Sequence, residues 1–162
     1  MKIGPEELEQ RLNRFKEDLK QAGVKLTHQR LEIFKEVARS KDHPDAETVY
    51  KGLRKRLPTV SLDTVYRTLW LLLDLGLIDT LGTPHHGVRF DANTRPHHHF
   101  VCKKCGMTSD FYCEELDQIT IPAAVKKLGR VEKTQVEIRG ICSRCSKKIG
   151  RKNCAKRKKE EK

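Results

Sequence analysis

The chain is organised around one stretch, which reads Asp91-Ala-Asn-Thr-Arg-Pro-His97-His98-His99-Phe-Val-Cys102-Lys-Lys-Cys105-Gly-Met-Thr-Ser-Asp110. Cys102 and Cys105 have the spacing of a zinc knuckle, in which two thiolates reach one tetrahedral ion from a tight turn that Gly106 permits. A second pair with the same spacing, Cys142 and Cys145, follows further along the chain. Four sulfurs complete a structural zinc site, so these cysteines are predicted to stabilise the fold of the C-terminal half through the bound ion.

The other donors in the stretch predict a second, different metal site. His97 and His99 are two apart on a predicted strand, so their side chains project from one face and that of His98 from the other. Asp91 precedes the strand and Asp110 follows the knuckle, so both carboxylates can approach the face of the two histidines. Imidazole and carboxylate ligands suit Fe(II), Mn(II) or Zn(II) better than Cu(I). His98 is expected to be a surface residue without a ligand role.

The N-terminal half shows four amphipathic segments. Apolar residues at three- and four-residue steps predict helices over residues 6–22, from Thr27 to an end near Ser40–Pro44, from Asp45 to Pro58, and over Leu62–Leu75. The predicted N-caps are Thr27, Asp45 and Ser61, and the predicted stops are Gly23 and Gly76.

A β-hairpin follows the fourth helix in the prediction. Leu77–Leu81 and Val88–Phe90 flank the turn region Gly82–Gly87. Two short helices joined by a tight turn and followed by a hairpin are typical of a winged helix-turn-helix domain. On the outward face of the fourth helix we expect Thr64, Arg67 and Thr68, which could then contact bases and phosphates in the major groove. The alternative is that Arg67 is only a solvated charge.

The C-terminal half is predicted to be a small α+β unit, which makes the whole chain a mixed α/β protein. Its predicted elements are strands over His97–Cys102, Met107–Tyr112 and Arg130–Ile141, and a helix over Glu114–Leu128 that Pro122 breaks or kinks. The predicted organisation is a DNA-binding domain over 1–90, a hinge over 91–96, a zinc-containing domain over 97–150 and a basic tail over 151–162.

Composition favours a soluble protein of the cytoplasm. Of the 162 residues, 36% are hydrophobic and 35% are charged, and we find neither an apolar run of bilayer length nor a signal-peptide region. In that reducing compartment paired cysteines indicate metal ligands rather than disulfides. Cys113 and Cys154 have no partner at ligand spacing and are expected to be ordinary thiols.

The net charge of +12 is weak evidence for nucleic-acid binding, because the charge is unevenly distributed. The segment Lys147–Lys162 holds nine Lys/Arg and two acidic residues, which accounts for seven of the twelve charges. Such a tail is either a basic arm that touches phosphates or a solvated segment. DNA binding is therefore predicted from the helices instead.

The order and spacing of these motifs resemble the ferric uptake regulator (Fur) superfamily over nearly the whole chain. The matching motifs are Gly23-Val-Lys-Leu-Thr27-His-Gln29-Arg30, Asp42-His43-Pro44, Ser61-Leu-Asp-Thr64-Val65-Tyr66-Arg67-Thr68-Leu69, Arg89-Phe90-Asp91, His97-x-His99, Cys102-x-x-Cys105, Asp110-Phe111 and Cys142-x-x-Cys145. The resemblance implies a homodimeric transcriptional repressor, whose N-terminal winged helix binds double-stranded operator DNA and whose C-terminal domain dimerises.

The resemblance also implies roles for individual residues. The regulatory metal ligands would be His43, Asp91, His97, His99 and Asp110, and the structural zinc ligands would be the four paired cysteines. The expected DNA contacts are Ser61, Thr64, Tyr66, Arg67 and Thr68. Because His43 lies in the DNA-binding half, metal occupancy is expected to set the relative angle of the two domains.

Within the superfamily the chain is most similar to the peroxide-responsive branch, since Asp110 stands where iron-uptake regulators usually carry Glu. Members of that branch bind Fe(II), and peroxide oxidises a ligand histidine, whose equivalents here are His43 and His97. There are departures. His28 stands where Pro is common in the family, His98 stands where iron-uptake regulators often have Asp, and the resemblance gives the basic tail no role.

Other functions stay open at this point. An iron-sensing repressor would use Fe(II) as a reversible corepressor, whereas a zinc-uptake regulator would more often recruit cysteine. A metalloenzyme would need an open coordination position and a nearby acid or base, and five protein ligands leave little room for a substrate. A zinc-ribbon RNA-binding module would leave the helix-turn-helix unexplained and would need aromatic stacking surfaces. We therefore expect a regulator rather than an enzyme.

Overall fold

The computed structural model describes residues 3–40, 42–81, 87–131 and 133–148. The chain divides into two compact units, Met1–Arg95 and Pro96–Lys162. We refer to them as the N-terminal and the C-terminal unit and describe each by itself. The predicted tail over 151–162, with Cys154, lies outside the described residues, and so does the turn over 82–86.

The N-terminal unit begins with four helices, as predicted. They are α1 (Pro5–Gln21), α2 (His28–Arg39), α3 (Ala46–Leu53) and α4 (Leu62–Asp74). All three predicted N-caps are confirmed, because the side chains of Thr27, Asp45 and Ser61 each accept a hydrogen bond from the backbone N–H three residues later. Gly23 and Gly76 end α1 and α4 with φ of 67°, in the left-handed region that glycine enters without a Cβ penalty.

The apolar faces of these helices form one core. The rings of Phe15 and Phe34 stack with centroids 4.0 Å apart, which joins α1 to α2. Val49 and Leu53 from α3 and Leu69 from α4 are completely buried in the same cluster. The predicted third helix ends earlier than expected, since α3 stops at Leu53 and turns follow it.

A two-stranded sheet completes the N-terminal unit. Strand β1 (Asp79–Leu81) pairs antiparallel with β2 (Arg89–Asp91), in a register that sets Thr80 opposite Phe90. Phe90 is buried in the core of the helices, so the hairpin packs on them as the wing of a winged helix. The winged helix-turn-helix prediction is confirmed.

The C-terminal unit is built on a mixed three-stranded sheet. Strand β3 (His98–Cys102) lies in the middle, with β4 (Thr108–Phe111) antiparallel on one side and β5 (Glu137–Gly140) parallel on the other. Residues 143–148 are helical. The buried cluster of this unit consists of Cys102, Cys142 and Cys145, with Phe100 and Met107 packed against it.

Two predicted elements of the C-terminal unit are wrong in length. The predicted helix Glu114–Leu128 is instead two single turns, α5 (Glu114–Asp117) and α6 (Ala123–Lys126). Pro122 is the residue before α6, and proline both lacks an N–H and keeps the residue before it out of the helical region. The predicted strand Arg130–Ile141 is confined to β5. Val131 and Val136 are five apart, an odd interval that places them on opposite faces of a strand.

The junction of the units lies inside the segment predicted as a hinge. Ala92 and Asn93 are buried, Ala92 in the core of the N-terminal unit, whereas Arg95 and Pro96 are exposed. Within the described ranges, no helix has the length and apolar character needed to cross a membrane.

Candidate metal centres and the exposed face of α4

Two knuckles bring the four paired cysteines together within the C-terminal unit. In the first, the backbone N–H of Gly106 donates to the carbonyl of Cys102 over 2.9 Å, and Gly106 adopts a φ of 67°. In the second, the N–H of Ser146 donates to the carbonyl of Cys142, also over 2.9 Å. The sulfurs of the four residues all lie within 4.8 Å of one another.

The spacing of the sulfurs fits a tetrahedral zinc ion. Zn–S bonds of about 2.3 Å in a tetrahedron separate the sulfurs by about 3.8 Å. The Sγ atoms of Cys105 and Cys142 are 3.8 Å apart, whereas a disulfide would bring them to about 2 Å. The cysteines therefore form a four-sulfur cluster with the geometry of a closed structural site.

Backbone amides point at these sulfurs. The N–H of Cys142 donates to Cys102 Sγ over 3.3 Å, and this bond is the main reason that the pKa of Cys102 falls to about 6. The pKa of Cys105 is also lowered, chiefly by the backbone N–H of Met107. In contrast, the pKa of Cys145 is raised to about 12, first by its hydrogen bond with Cys105. A divalent cation would let all four sulfurs be thiolates at once.

His97, His99 and Asp110 form a second set of donors in the C-terminal unit. His99 lies directly opposite Asp110 in the pairing of β3 with β4, so their side chains share a face. The Nε2 atoms of His97 and His99 are 3.0 Å apart, and His99 Nε2 lies 3.6 Å from Asp110 Oδ1. Two nitrogens bound to one ion at about 2.1 Å and at right angles are separated by about 3 Å. The predicted common face of the two histidines is confirmed.

His43 and Asp91 form a third set, which lies in the N-terminal unit. His43 Nε2 is 3.6 Å from Asp91 Oδ2, and both residues are buried. Asp91 is held in place at the end of β2, where its Oδ1 accepts a 2.7 Å hydrogen bond from the N–H of Asn93. An imidazole and a carboxylate on one buried patch are again donors that suit a divalent metal.

The expected surface position of His98 is wrong, because this residue is 1% exposed. Its Nδ1 accepts a hydrogen bond from the backbone N–H of Val136 over 3.3 Å, and its Nε2 lies 3.3 Å from Asp117 Oδ1. His98 thus connects β3 to α5 and to the residue before β5, from the face opposite His97 and His99. Its partners are distant in sequence, and no local pattern indicates them.

The exposed face of α4 carries most of the predicted DNA contacts. Ser61, Tyr66 and Arg67 are exposed and Thr64 is partly exposed, but Thr68 is only 7% exposed. Placing Thr68 on the outward face was therefore wrong. It lies three residues after Val65 and four before Leu72, which puts it on the buried stripe of the helix. Sequence reasoning also missed Trp70, which is 45% exposed and lies one turn beyond Tyr66 and Arg67.

Cys113 is separate from the four-cysteine cluster. Its thiol donates to the Glu115 carboxylate over 3.1 Å, and it is not among the residues that could hold a metal in the described part of the chain. Its expected role as an ordinary thiol stays a prediction.

Comparison with known proteins assigns the chain to a family. The model of the ferric uptake regulator family matches residues 21–139. The chain belongs to the ferric uptake regulator family. The matched range contains α2 to α4, the first knuckle and the donors from His43 to Asp110. Cys142 and Cys145 lie beyond it, so the geometry of the sulfurs is what joins the second pair to the first.

Relatives in the ferric uptake regulator family cover most of the chain. The peroxide operon regulator of Bacillus subtilis is 37% identical over 82% of this chain and 91% of its own length. The peroxide-responsive repressor PerR of Staphylococcus epidermidis is 35% identical over 78% of this chain and 85% of its own. Among solved structures, the Vibrio cholerae ferric uptake regulator aligns with a TM-score of 0.62 and 29% identity, over 78% of this chain and 98% of its own.

Proposed function

We propose that this chain is a metal-dependent transcriptional repressor that binds operator DNA as a homodimer and senses peroxide through Fe(II)-dependent oxidation of a ligand histidine. The observation that carries the proposal is the convergence of His97, His99 and Asp110 on one face of the C-terminal unit. Relatives that are 37% and 35% identical are a peroxide operon regulator and a peroxide-responsive repressor, which favours a peroxide sensor over an iron sensor.

The regulatory ion, Fe(II) or Mn(II), would draw ligands from both units. We assign it His97, His99 and Asp110 together with His43 and Asp91. Each set already consists of histidine and aspartate side chains whose donor atoms lie 3.0–3.6 Å apart within their own unit. An ion that needs both sets couples its binding to the arrangement of the units across the junction near residues 91–96. The metal would therefore stabilise one conformational state of the chain.

A second ion, Zn(II), would be structural. Cys102, Cys105, Cys142 and Cys145 offer four thiolates and no open position, which is the arrangement of a closed site. This ion holds the knuckles together and takes no part in sensing.

The N-terminal unit would bind the operator through α4. The exposed side chains of Ser61, Tyr66 and Arg67 and the partly exposed side chain of Thr64 lie on one side of this helix. Arg67 forms a 2.9 Å ion pair with Asp63, but both side chains are largely exposed. Such a pair is weak, so the guanidinium can exchange it for a base or a phosphate.

A second copy of the chain would cover apolar surface of the C-terminal unit. Its described residues include large exposed hydrophobic side chains, among them Val125, Leu128, Ile138 and Ile141. Several such residues on a small unit indicate a protein-protein interface. A dimer is also what a palindromic operator requires.

Peroxide would act on the regulatory site. Bound Fe(II) supplies the electron-transfer chemistry that makes peroxide reactive at this position. In the net reaction, the imidazole of His43 or His97 gains one oxygen atom from peroxide, and the other oxygen leaves as water. The oxidised ring is a poorer ligand, so the metal affinity falls and the DNA-binding state is lost.

The proposal is tested by mass spectrometry of zinc-containing protein that has been loaded with Fe(II) or Mn(II) and treated with peroxide. We expect one added oxygen on His43 or His97 in the iron form, no addition in the manganese form, and loss of operator binding only with iron. Asp110→Glu is the matched variant. It keeps a carboxylate, and it should bind the operator in the presence of iron but oxidise more slowly.

Two outcomes would contradict the proposal. Operator binding that follows the iron concentration and survives peroxide, without histidine oxidation, would identify an iron-sensing repressor that uses Fe(II) as a reversible corepressor. Unchanged operator affinity in Arg67→Ala, with wild-type zinc content, would show that α4 is not the recognition helix.

A further inference from the structure

The four cysteines of the proposed zinc centre differ in their access to solvent. Cys102, Cys142 and Cys145 are buried, at 1%, 6% and 6% exposure, whereas Cys105 is exposed. An oxidant or electrophile that approaches the cluster from solvent therefore meets Cys105 first. The other three sulfurs are covered by the knuckles and by Phe100 and Met107.

One side chain lies at that exposed sulfur. Arg144, from the second knuckle, donates from Nη2 to Cys105 Sγ in the first knuckle over 3.9 Å. The pKa of the guanidinium is raised, chiefly by this bond to Cys105. Arg144 itself is exposed as well, so this contact lies at the surface of the protein.

We propose that Arg144 protects the exposed thiolate of the proposed zinc centre, Cys105, from oxidants and electrophiles. This inference rests on the structural zinc of the proposed function. Four thiolates around one divalent ion leave an excess of negative charge, which makes the sulfurs nucleophilic. A charge-assisted hydrogen bond from a guanidinium draws electron density from the sulfur, and the side chain covers the part of the sulfur that it contacts.

Whether a nearby cation speeds or slows the reaction of a cysteine depends on whether the sulfur is bound to zinc. Near a free thiol, a cation favours the thiolate and so promotes reaction. A cysteine bound to zinc is already a thiolate, so the cation cannot increase the amount of thiolate and only makes it a weaker nucleophile. Arg144 is therefore expected to slow attack on the zinc-loaded protein.

The reaction to be suppressed is loss of the zinc. Two zinc-bound thiolates each give up one electron and form a disulfide bond, and Zn(II) is released. Peroxide takes up those two electrons with two protons and becomes two molecules of water. A peroxide sensor in which the oxidant must reach a histidine has to keep this competing reaction slow, and protection of the exposed sulfur does so.

The test compares the rates of zinc release and of alkylation in zinc-loaded protein. Zinc content is measured first, and then release is followed with a chromogenic chelator under peroxide. Iodoacetamide alkylation, in which iodide leaves as the S–C bond forms, is mapped by mass spectrometry. We expect Arg144→Ala to lose zinc and to alkylate Cys105 faster, roughly three- to tenfold, as for the loss of one hydrogen bond. Arg144→Lys, which keeps the charge, should lie in between.

A matched control is Arg139→Ala. Arg139 is an exposed arginine on β5 that pairs with Glu137, so its removal changes the net charge equally without touching a sulfur. Zinc release at the wild-type rate in Arg144→Ala, or equal acceleration in Arg139→Ala, would overturn the inference. Wild-type protein without stoichiometric zinc would instead overturn the proposed zinc centre, and the inference with it. Circular dichroism is used to check that each variant is folded.

Discussion

At the scale of single residues, His43 combines an unfavourable backbone conformation with a buried side chain. Its φ of 49° lies in the left-handed region, which costs an L-residue roughly 1 kcal/mol. Two hydrogen bonds hold the chain on either side of it. The N–H of Phe90 donates to the carbonyl of Pro44 over 3.0 Å, and Arg89 Nη1 donates to that of Asp42 over 3.1 Å. The wing therefore fixes the backbone that presents this imidazole.

Substitutions of His43 test its proposed metal binding and its backbone conformation separately. Both His43→Asn and His43→Ala should reduce Mn(II) affinity, on the order of tenfold or more, and leave the zinc content unchanged. Asn tolerates the left-handed region better than Ala does, so His43→Ala should be less stable than His43→Asn by about 1 kcal/mol. Calorimetric titration and urea unfolding measure the two effects. Equal stability of the variants would show that the backbone conformation is not strained.

His98 offers a second prediction at this scale. His98→Ala leaves the N–H of Val136 without its acceptor in a partly buried place and should cost the C-terminal unit about 1–3 kcal/mol. Asp117→Ala should cost less, under about 1 kcal/mol, because the Asp117 side chain is 36% exposed and its partner can be hydrated in part. Thermal unfolding of the zinc-loaded protein measures the loss of stability in each of the two variants. Equal losses would mean that the ion pair, rather than the backbone bond, stabilises this contact.

At the scale of elements, the sequence predicts what local physical chemistry decides. The N-terminal ends of α2, α3 and α4 depend on caps that act within three residues, so Thr27, Asp45 and Ser61 could be recognised in the sequence. Strand β5 depends on pairing with β3, some forty residues earlier, which only the folded chain establishes. That is why its predicted length was wrong although its existence was right.

The same distinction applies to the candidate sites. The spacing of the paired cysteines and the alternation of His97 and His99 are local patterns, and the structure agrees with both. The hydrogen bond from Arg144 to Cys105 and the burial of His98 depend on contacts between distant segments. The prediction for Thr68 was wrong for another reason: its polar side chain suggested the exposed face of α4, although its position lies on the buried stripe.

The N-cap of α4 has two proposed roles that one pair of variants can separate. Ser61 accepts a 3.1 Å hydrogen bond from the N–H of Thr64, so Ser61→Ala should destabilise the N-terminal unit by about 1 kcal/mol. Ser61→Asp should restore the cap and the stability. If Ser61 also contacts DNA, the added carboxylate repels phosphate, and operator affinity falls although the fold is stable. Wild-type affinity in Ser61→Asp would remove Ser61 from the proposed DNA contacts. Fluorescence anisotropy measures the affinity, and urea unfolding measures the stability.

At the scale of the whole molecule, the two units are stabilised by different means. The N-terminal unit has an extended apolar core drawn from all four helices and the wing. The C-terminal unit has a buried cluster of three cysteines with two apolar neighbours. A core of that size does not offset the entropy of ordering the chain, and small domains of this kind depend on a metal or on disulfides. The five described cysteines are free, so zinc is the expected stabilising element.

Removal of zinc should therefore unfold one unit and leave the other folded. After chelation, or in Cys145→Ser, we expect fast amide exchange throughout β3, β4 and β5, whereas α1 to α4 keep the protection of the zinc-loaded protein. Binding free energy at such a site is folding free energy, so the loss should be cooperative rather than gradual. Hydrogen exchange followed by mass spectrometry resolves the two units, and Cys113→Ser, which removes a thiol outside the cluster, is the control. Protected strands in zinc-free protein would mean that the C-terminal unit folds on its apolar contacts alone, and exchange in α1 to α4 would mean that the N-terminal core depends on the zinc as well.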